Sequence, residues 1–231
     1  MFYFDPMYFV FALPALLLAL YAQFKVQSAY RRYSRIANQR GITGLEAARH
    51  LLSAAGLAHV SIEGIPGQMT DHYDPRTKTL RLSAGVARSN SVAALGIVAH
   101  EVGHAVQDAH AYTPLRLRSG LVPVVNLGSW LGPILFFIGL LLNAFDLALL
   151  GVIAFAGSAI FALVTLPVEW NASKRALKML RRTGLVAEDE LKGAKSVLSA
   201  ASLTYVASLA QAISTLLYYV FLLSGFRRRR D

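Results

Sequence analysis

His100-Glu101-Val102-Gly103-His104 is the stretch of this chain whose residue types and spacing amount to chemical machinery. On a helix, residues i and i+4 share a face, so the two imidazoles can address a single ion. Glu101 directly follows the first histidine, where a carboxylate reaches a metal-bound water without ligating the metal itself. That is the position of a general base for hydrolysis. Two histidines make half of a catalytic zinc site, which takes three protein ligands and keeps the fourth position open. The chain contains no cysteine, so there is no thiolate site, no cysteine nucleophile and no disulfide, and the missing ligand must be His, Asp or Glu. The competing reading is two core histidines on an apolar helix with Glu101 on a solvated edge. It buries costly polar groups with nothing to bind them.

This chemistry requires a helix, and the run from Ser91 to Gln107 is built for one. It is rich in Ala, Val and Leu, it lacks proline, Ser89-Asn90-Ser91 offers N-caps, and the next breaker is Pro114. Upstream, Thr43-Gly-Leu-Glu46 fits a capping box, and Leu45, Ala48, Leu51 and Leu52 recur at helical spacing up to Gly56. Val60–Ile65 and Lys78–Ser83 are β-prone runs that predict a small hairpin, either covering the core or offering an edge to an extended peptide. Asp71-His72-Tyr73-Asp74-Pro75 clusters a histidine with two carboxylates. Asp74-Pro-Arg-Thr reads first as a turn, with a role beside the metal as the alternative. His50, His59 and His110 lack partners at ligand spacing.

The composition places this machinery at a membrane. Over 231 residues, 55% are hydrophobic and the mean hydropathy is +0.46, with the excess concentrated in four runs near 7–24, 121–142, 147–166 and 203–226. Each approaches the roughly 20 residues that a spanning helix needs. The net charge of +10 lies largely beside these runs, where Lys and Arg meet anionic headgroups, so nucleic acid is not an expected partner. Asp5 precedes the first run and Lys25, Arg31, Arg32 and Arg35 follow it. This is the pattern of a retained anchor with its following segment in the cytoplasm.

The expected organisation is an anchor helix (1–24), a cytoplasmic-side region carrying the His100 helix (25–120), a transmembrane helical hairpin (121–167), a segment with a further helix and a surface helix (168–202), and a C-terminal apolar helix with a basic tail (203–231). Only Asn143–Asp146 joins the two runs of the hairpin, so the chain after Leu166 must return to the side of the His100 helix. Glu169 is the first acidic residue there, near the start of a helix that Pro167 is expected to open. Parity makes it the leading third ligand, against the reading of a carboxylate favoured by a helix N-terminus. Glu63, Asp71 and Asp108 are the other candidates. Glu188–Ser199 is expected to form a separate surface helix. The last run is favoured to span, although Arg227–Arg230 would then sit outside, against the positive-inside rule. The alternatives are an interfacial helix or the inverted orientation.

His-Glu-Val-Gly-His-Ala-Val-Gln (100–107), Asp-His-Tyr-Asp-Pro-Arg-Thr-Lys-Thr-Leu-Arg-Leu-Ser (71–83) and Leu-Pro-Val-Glu-Trp-Asn-Ala-Ser-Lys-Arg-Ala (166–176) together resemble the YugP-type neutral zinc metallopeptidases of bacterial membranes, over nearly the whole chain and in the same order. The resemblance implies that His100 and His104 are zinc ligands, Glu101 the catalytic glutamate and Glu169 the third ligand. The chain is also similar to the wider membrane-embedded gluzincins, whose glutamate motif reads Glu-x-x-Ala-Asp. Here Ser173 replaces the aspartate, so Ser173, Asn171 or a more distant carboxylate must orient a ligand histidine.

The expected fold is therefore predominantly α, a multi-pass helical membrane protein with a small α+β zinc-peptidase-like region between its first and second membrane helices. The expected function is hydrolysis of peptide bonds in membrane-associated proteins or peptides, with one Zn2+, at the cytoplasmic face of the inner membrane. Tyr205, His110 and Arg175 are candidate oxyanion donors. The rival readings are a non-catalytic, zinc-stabilised membrane scaffold and a transporter. The second is disfavoured because Asp146 and Glu169 fall at hairpin ends rather than at mid-bilayer. Expected partners are the bilayer and a protein or peptide substrate, and nothing in the sequence excludes a homo-oligomer.

Overall fold

A computed structural model describes residues 6–227. The chain runs α1 (Pro6–Tyr33), α2 (Gly44–Ala54), β1 (Ser61–Ile65), β2 (His72–Asp74), β3 (Thr79–Ser83), α3 (Ala84–Ala87), α4 (Val92–Ala109), α5 (Thr113–Leu141), α6 (Phe145–Thr183) and α7 (Glu188–Arg227). It is a mostly helical, multi-pass architecture with a small α+β region, as expected. Among the described residues, α1, α5, α6 and α7 are long and apolar enough to cross a membrane. Arg228–Arg230 of the basic tail and Asp5 before the anchor lie outside the described residues.

Two compact units emerge from the contacts. The first comprises Met1–Ala22, Arg116–Pro167 and Thr204–Asp231. Its α5 and α6 segments form the anticipated antiparallel hairpin. Asn143 closes the joint in the left-handed region at φ 52, a conformation asparagine tolerates, and the Ala144 amide returns to the Gly139 carbonyl at 2.8 Å. Gly128, Gly132 and Gly139 on α5 and Gly151 on α6 let the backbones approach so closely that a Cβ at Gly128 would sit 2.5 Å from the Ala154 carbonyl oxygen. Small residues serve this purpose where lipid removes the hydrophobic drive between helices. Phe136 stacks on Tyr219 of α7 at 4.2 Å, while Val124, Leu127, Trp130 and Ile153 remain exposed, a surface suited to lipid.

The second unit, Gln23–Leu115 and Val168–Leu203, wraps its core around α4. Ser91 caps that helix by accepting from the Ala94 amide at 3.2 Å, and α2 carries the full Thr43–Glu46 capping box. Leu51 and Leu52 of α2, Leu80 and Leu82 of β3, Leu180 of α6 and Leu198 of α7 pack with Leu95, Val98 and Val102 of α4.

Three expectations need correction. Val60–Ile65 and Lys78–Ser83 do not form a hairpin with each other, because β1 and β3 pair in parallel (Ile62 opposite Leu80). The hairpin is β2–β3, and the sheet order is β1-β3-β2. The Asp74 turn was legible: its carboxylate accepts from the Arg76 amide at 2.9 Å and from Thr77 Oγ1 at 3.0 Å, and Lys78 adopts φ 52. Pro167 does not open a helix; α6 runs through it, since a spanning helix can absorb the loss of one N–H. The surface helix expected at Glu188–Ser199 continues into the last apolar run as α7, because no Gly or Pro interrupts residues 194–224.

Gly103 is where α4 meets α6 backbone to backbone: a Cβ there would lie 2.7 Å from the Ala172 carbonyl oxygen on α6. Gly103→Val is expected to destabilise the detergent-solubilised chain by about 1–3 kcal/mol, read as a lower thermal midpoint. Gly85→Ala, where an added Cβ would point into open space, is expected not to lower the midpoint. Asp74 supplies a second test. Its Arg81 partner, with the Arg76 amide and Thr77, lowers its pKa from 3.8 to about 2. A depressed carboxylate stabilises the folded state above its unfolded pKa, and that contribution disappears as pH falls from about 4 through 2. Asp74→Asn is expected to flatten that acid limb in a stability-versus-pH series.

Candidate metal centre

His100 and His104 stand one turn apart on α4, with ring centroids 4.8 Å apart and planes at 87°. Glu169 comes to them from α6 and is 1% exposed. Its Oε2 lies 3.1 Å from His100 Nε2 and 3.5 Å from His104 Nε2. Ligand atoms of the three residues all fall within 4.8 Å of one another, which makes them the group that could hold a metal ion among the described residues. Tetrahedral bonds of about 2.0–2.1 Å place neighbouring ligand atoms about 3.3 Å apart, and the two nitrogen–oxygen separations bracket that edge.

Both imidazoles turn Nε2 toward the carboxylate and Nδ1 away from it. His100 Nδ1 meets Ser173 Oγ at 3.2 Å, so the serine that replaces the expected aspartate occupies the orienting position. His104 Nδ1 meets Oε1 of the fully buried Gln107 at 3.0 Å. The direction of that bond follows from the far end of a chain of donors. Arg175 Nε donates to Asn171 Oδ1 at 2.7 Å, and a guanidinium can only donate. The same Asn171 oxygen accepts from Gln107 Nε2 at 3.0 Å, and the Val168 carbonyl accepts from it at 2.7 Å. Gln107 therefore presents its oxygen to His104, the Nδ1 proton goes to that oxygen, and Nε2 is the nitrogen that meets the cluster.

Glu101 is half-buried beside the histidines, and its Oε2 accepts from the Tyr73 backbone N–H of β2 at 3.0 Å. Burial pushes its carboxyl pKa up, against the opposing pull of His100 and His104. Burial works against a charged His104, yet the Glu169 and Glu101 carboxylates outweigh it and hold the imidazole pKa above its ordinary value. The cluster thus demands positive charge. Two imidazole nitrogens, one carboxylate oxygen and no sulfur are a donor set that fits zinc with an open position.

The other candidate ligands are engaged elsewhere. Glu63 and Asp74 pair with Arg81, Asp71 accepts from the Ser83 amide at 2.7 Å, and Asp108 binds Lys78 and the Tyr73 hydroxyl. His110 turns Nδ1 back to the Val106 carbonyl of its own helix at 2.8 Å, Arg175 is held by Asn171, and Tyr205 belongs to the apolar unit. Sequence reasoning missed two participants. Gln107 carried a signal, a polar residue three positions past His104 on an otherwise apolar stretch. The Tyr73 amide carried none, because a backbone group has no sequence signature.

A family model described as "Putative neutral zinc metallopeptidase" matches residues 8–224. The "Putative membrane protease YugP" of Bacillus subtilis (strain 168) is 43% identical over 217 residues, covering 94% of this chain and 96% of that protein. No solved structure matches the chain. With a match across all the membrane helices and the metal cluster together, the chain belongs to the neutral zinc metallopeptidase family.

Proposed function

We propose that the chain is a membrane-embedded zinc endopeptidase that cuts membrane-associated proteins or peptides at the cytoplasmic face of a bacterial inner membrane. The observation that carries this reading is the meeting of His100, His104 and Glu169 with Glu101 alongside. These three residues would hold the zinc ion, which when bound supplies Lewis-acid polarisation of a water and of the scissile carbonyl. Glu101 takes the proton from the attacking water and passes it to the leaving amine. The Tyr73 N–H fixes one of its oxygens, and burial raises its proton affinity toward the range useful for that exchange. Ser173 and Gln107 keep the two histidines aimed, the second through its tie to Asn171 and Arg175.

β2 lies at one edge of the sheet, with Tyr73 joined to Glu101, so an extended peptide added to that edge would pass the base. Glu169 follows the apolar stretch by a few residues, which suits substrates held at the membrane surface. The cytoplasmic assignment rests on Lys25, Arg31, Arg32 and Arg35 after the first span and on the basic Lys174–Arg182 segment after the third.

Metal content and hydrolysis of a quenched peptide, measured together on the purified full chain, test the roles. Glu101→Gln is expected to keep one zinc per chain while turnover falls about 10²–10⁴-fold. Turnover at the wild-type level with zinc retained would instead identify a non-catalytic zinc scaffold. Glu169→Gln is expected to lose zinc. Gln107→Leu, near in volume but unable to accept from Nδ1, is expected to weaken zinc affinity about 10–100-fold in chelator competition; unchanged affinity would remove Gln107 from the site.

A further inference from the structure

A cavity of about 380 Å³ opens in the second unit between α1 and α7, built from residues that the metal site does not use. Lys25, Ser28, Ala29 and Arg32 line it from α1 at i, i+3, i+4 and i+7, the spacing of a single helical face. Ser196, Ser199, Ala200 and Leu203 line it from α7 with the same periodicity. The small side chains in the middle of each stripe leave the space, and the cations stand at its ends. Its volume lies within the roughly 300–1,000 Å³ typical of small-molecule sites.

The lining chemistry is one-sided. Lys25 and Arg32 bring two positive charges, the three serines bring hydroxyl groups, and among the described residues no acidic one lines the cavity. The Arg32 guanidinium packs over the Tyr33 ring, 5.5 Å from its centroid. The N–H groups of a guanidinium lie in one plane, the geometry that favours bidentate contact with phosphate oxygens. Depth along the helices narrows the occupant further. Lys25 is the first charge after the apolar run of α1, and Leu203 begins the last apolar run of α7, so the cavity sits where both helices leave the hydrocarbon. Leu17, Leu20, Tyr21 and Phe24, just before it on α1, are 51–64% exposed and offer an apolar surface to an acyl chain.

We propose that this cavity binds the phosphate headgroup of an anionic glycerophospholipid, with Lys25 and Arg32 supplying the positive charge that draws the anion and the serine hydroxyls meeting the headgroup. Charge, donors and headgroup depth all point to a lipid anion. The proposal is independent of the peptidase reading, since it invokes none of the metal-site residues.

Native mass spectrometry of the full chain in neutral detergent, titrated with dioleoyl phosphatidylglycerol, tests it. Wild type is expected to retain one lipid. Lys25→Gln/Arg32→Gln removes the cations, and Ser28→Leu/Ser199→Leu fills the cavity without changing charge. Each pair is expected to weaken retention at least tenfold, and the two approach the site independently, so misfolding of one leaves the other to decide. Arg31→Gln/Arg35→Gln removes two charges outside the cavity and is expected to change retention less than twofold. Equal losses in both charge-removing pairs would overturn the proposal in favour of diffuse surface charge, as would unaltered retention in the filled variant. Phosphatidylcholine and millimolar inorganic phosphate form the second arm. Failure of both to displace the lipid is expected; displacement by phosphate would identify a soluble anion as the occupant, and displacement by phosphatidylcholine a site without charge preference.

Discussion

The meeting of His100, His104 and Glu169 depends on one backbone approach, that of α4 against α6 at Gly103 and Ala172. A side chain at residue 103 would hold the helices apart, and the spacing between His104 and Glu169 would open with them. Ala172 is one residue from Ser173 and three from Glu169, so the contact that sets the helix separation also sets where the α6 side chains arrive. Small residues recur on α4 for the same reason: a Cβ at Gly96 would meet Ala194 of α7 at 3.4 Å. The motif's middle glycine is thus a packing residue whose consequence is chemical. It lets a helix carrying two histidines lie near enough to a second helix to share one carboxylate.

Bringing Glu169 into so dry a place is expensive unless its charge is answered, since an uncompensated buried carboxylate costs several kcal/mol. The answer is layered. His100 and His104 face the carboxylate directly, and behind them Ser173 and the Gln107–Asn171–Arg175 series hold each ring by its far nitrogen. The series begins at a group that cannot accept a hydrogen bond, so its direction does not reverse and the His104 tautomer is set from a residue 71 positions away in sequence. Both ends of that series belong to the two helices that meet at Gly103, which makes packing and tautomer two results of one arrangement.

Much of this was legible in the chain because it rests on local rules. The i, i+4 histidines, the Thr43 capping box, the Ser91 cap and the Asp74 turn all follow from spacing within a few residues. Glu169 was reachable by a longer argument, since two spans joined by a tight turn return the chain to its starting side. What escaped was non-local. Nothing in Val60–Ile65 or Lys78–Ser83 says that they pair in parallel, because β2 takes the antiparallel edge of β3 and leaves the other edge for β1. Pro167 misled for a related reason: a proline is a stop signal in water, whereas a long apolar helix continues through it. Gln107 carries only a weak local signal, and its role depends on Asn171 and Arg175 coming near it from another helix.

The serine at position 173 bears on the charge of the site as well as its geometry. A divalent ion held beside Glu169 and Glu101 would set two positive charges against the two carboxylates. An aspartate at 173 would add a third carboxylate to a largely buried cluster. The Ser173 hydroxyl keeps the ring aimed without that charge, and on the other histidine Gln107 does the same with an amide. Both histidines of the cluster are therefore held by neutral groups, and the two carboxylates beside them are the two that the proposed chemistry uses. The cationic end of the network, Arg175, stands at one remove behind Asn171, where it fixes direction without competing with the ion for Glu169.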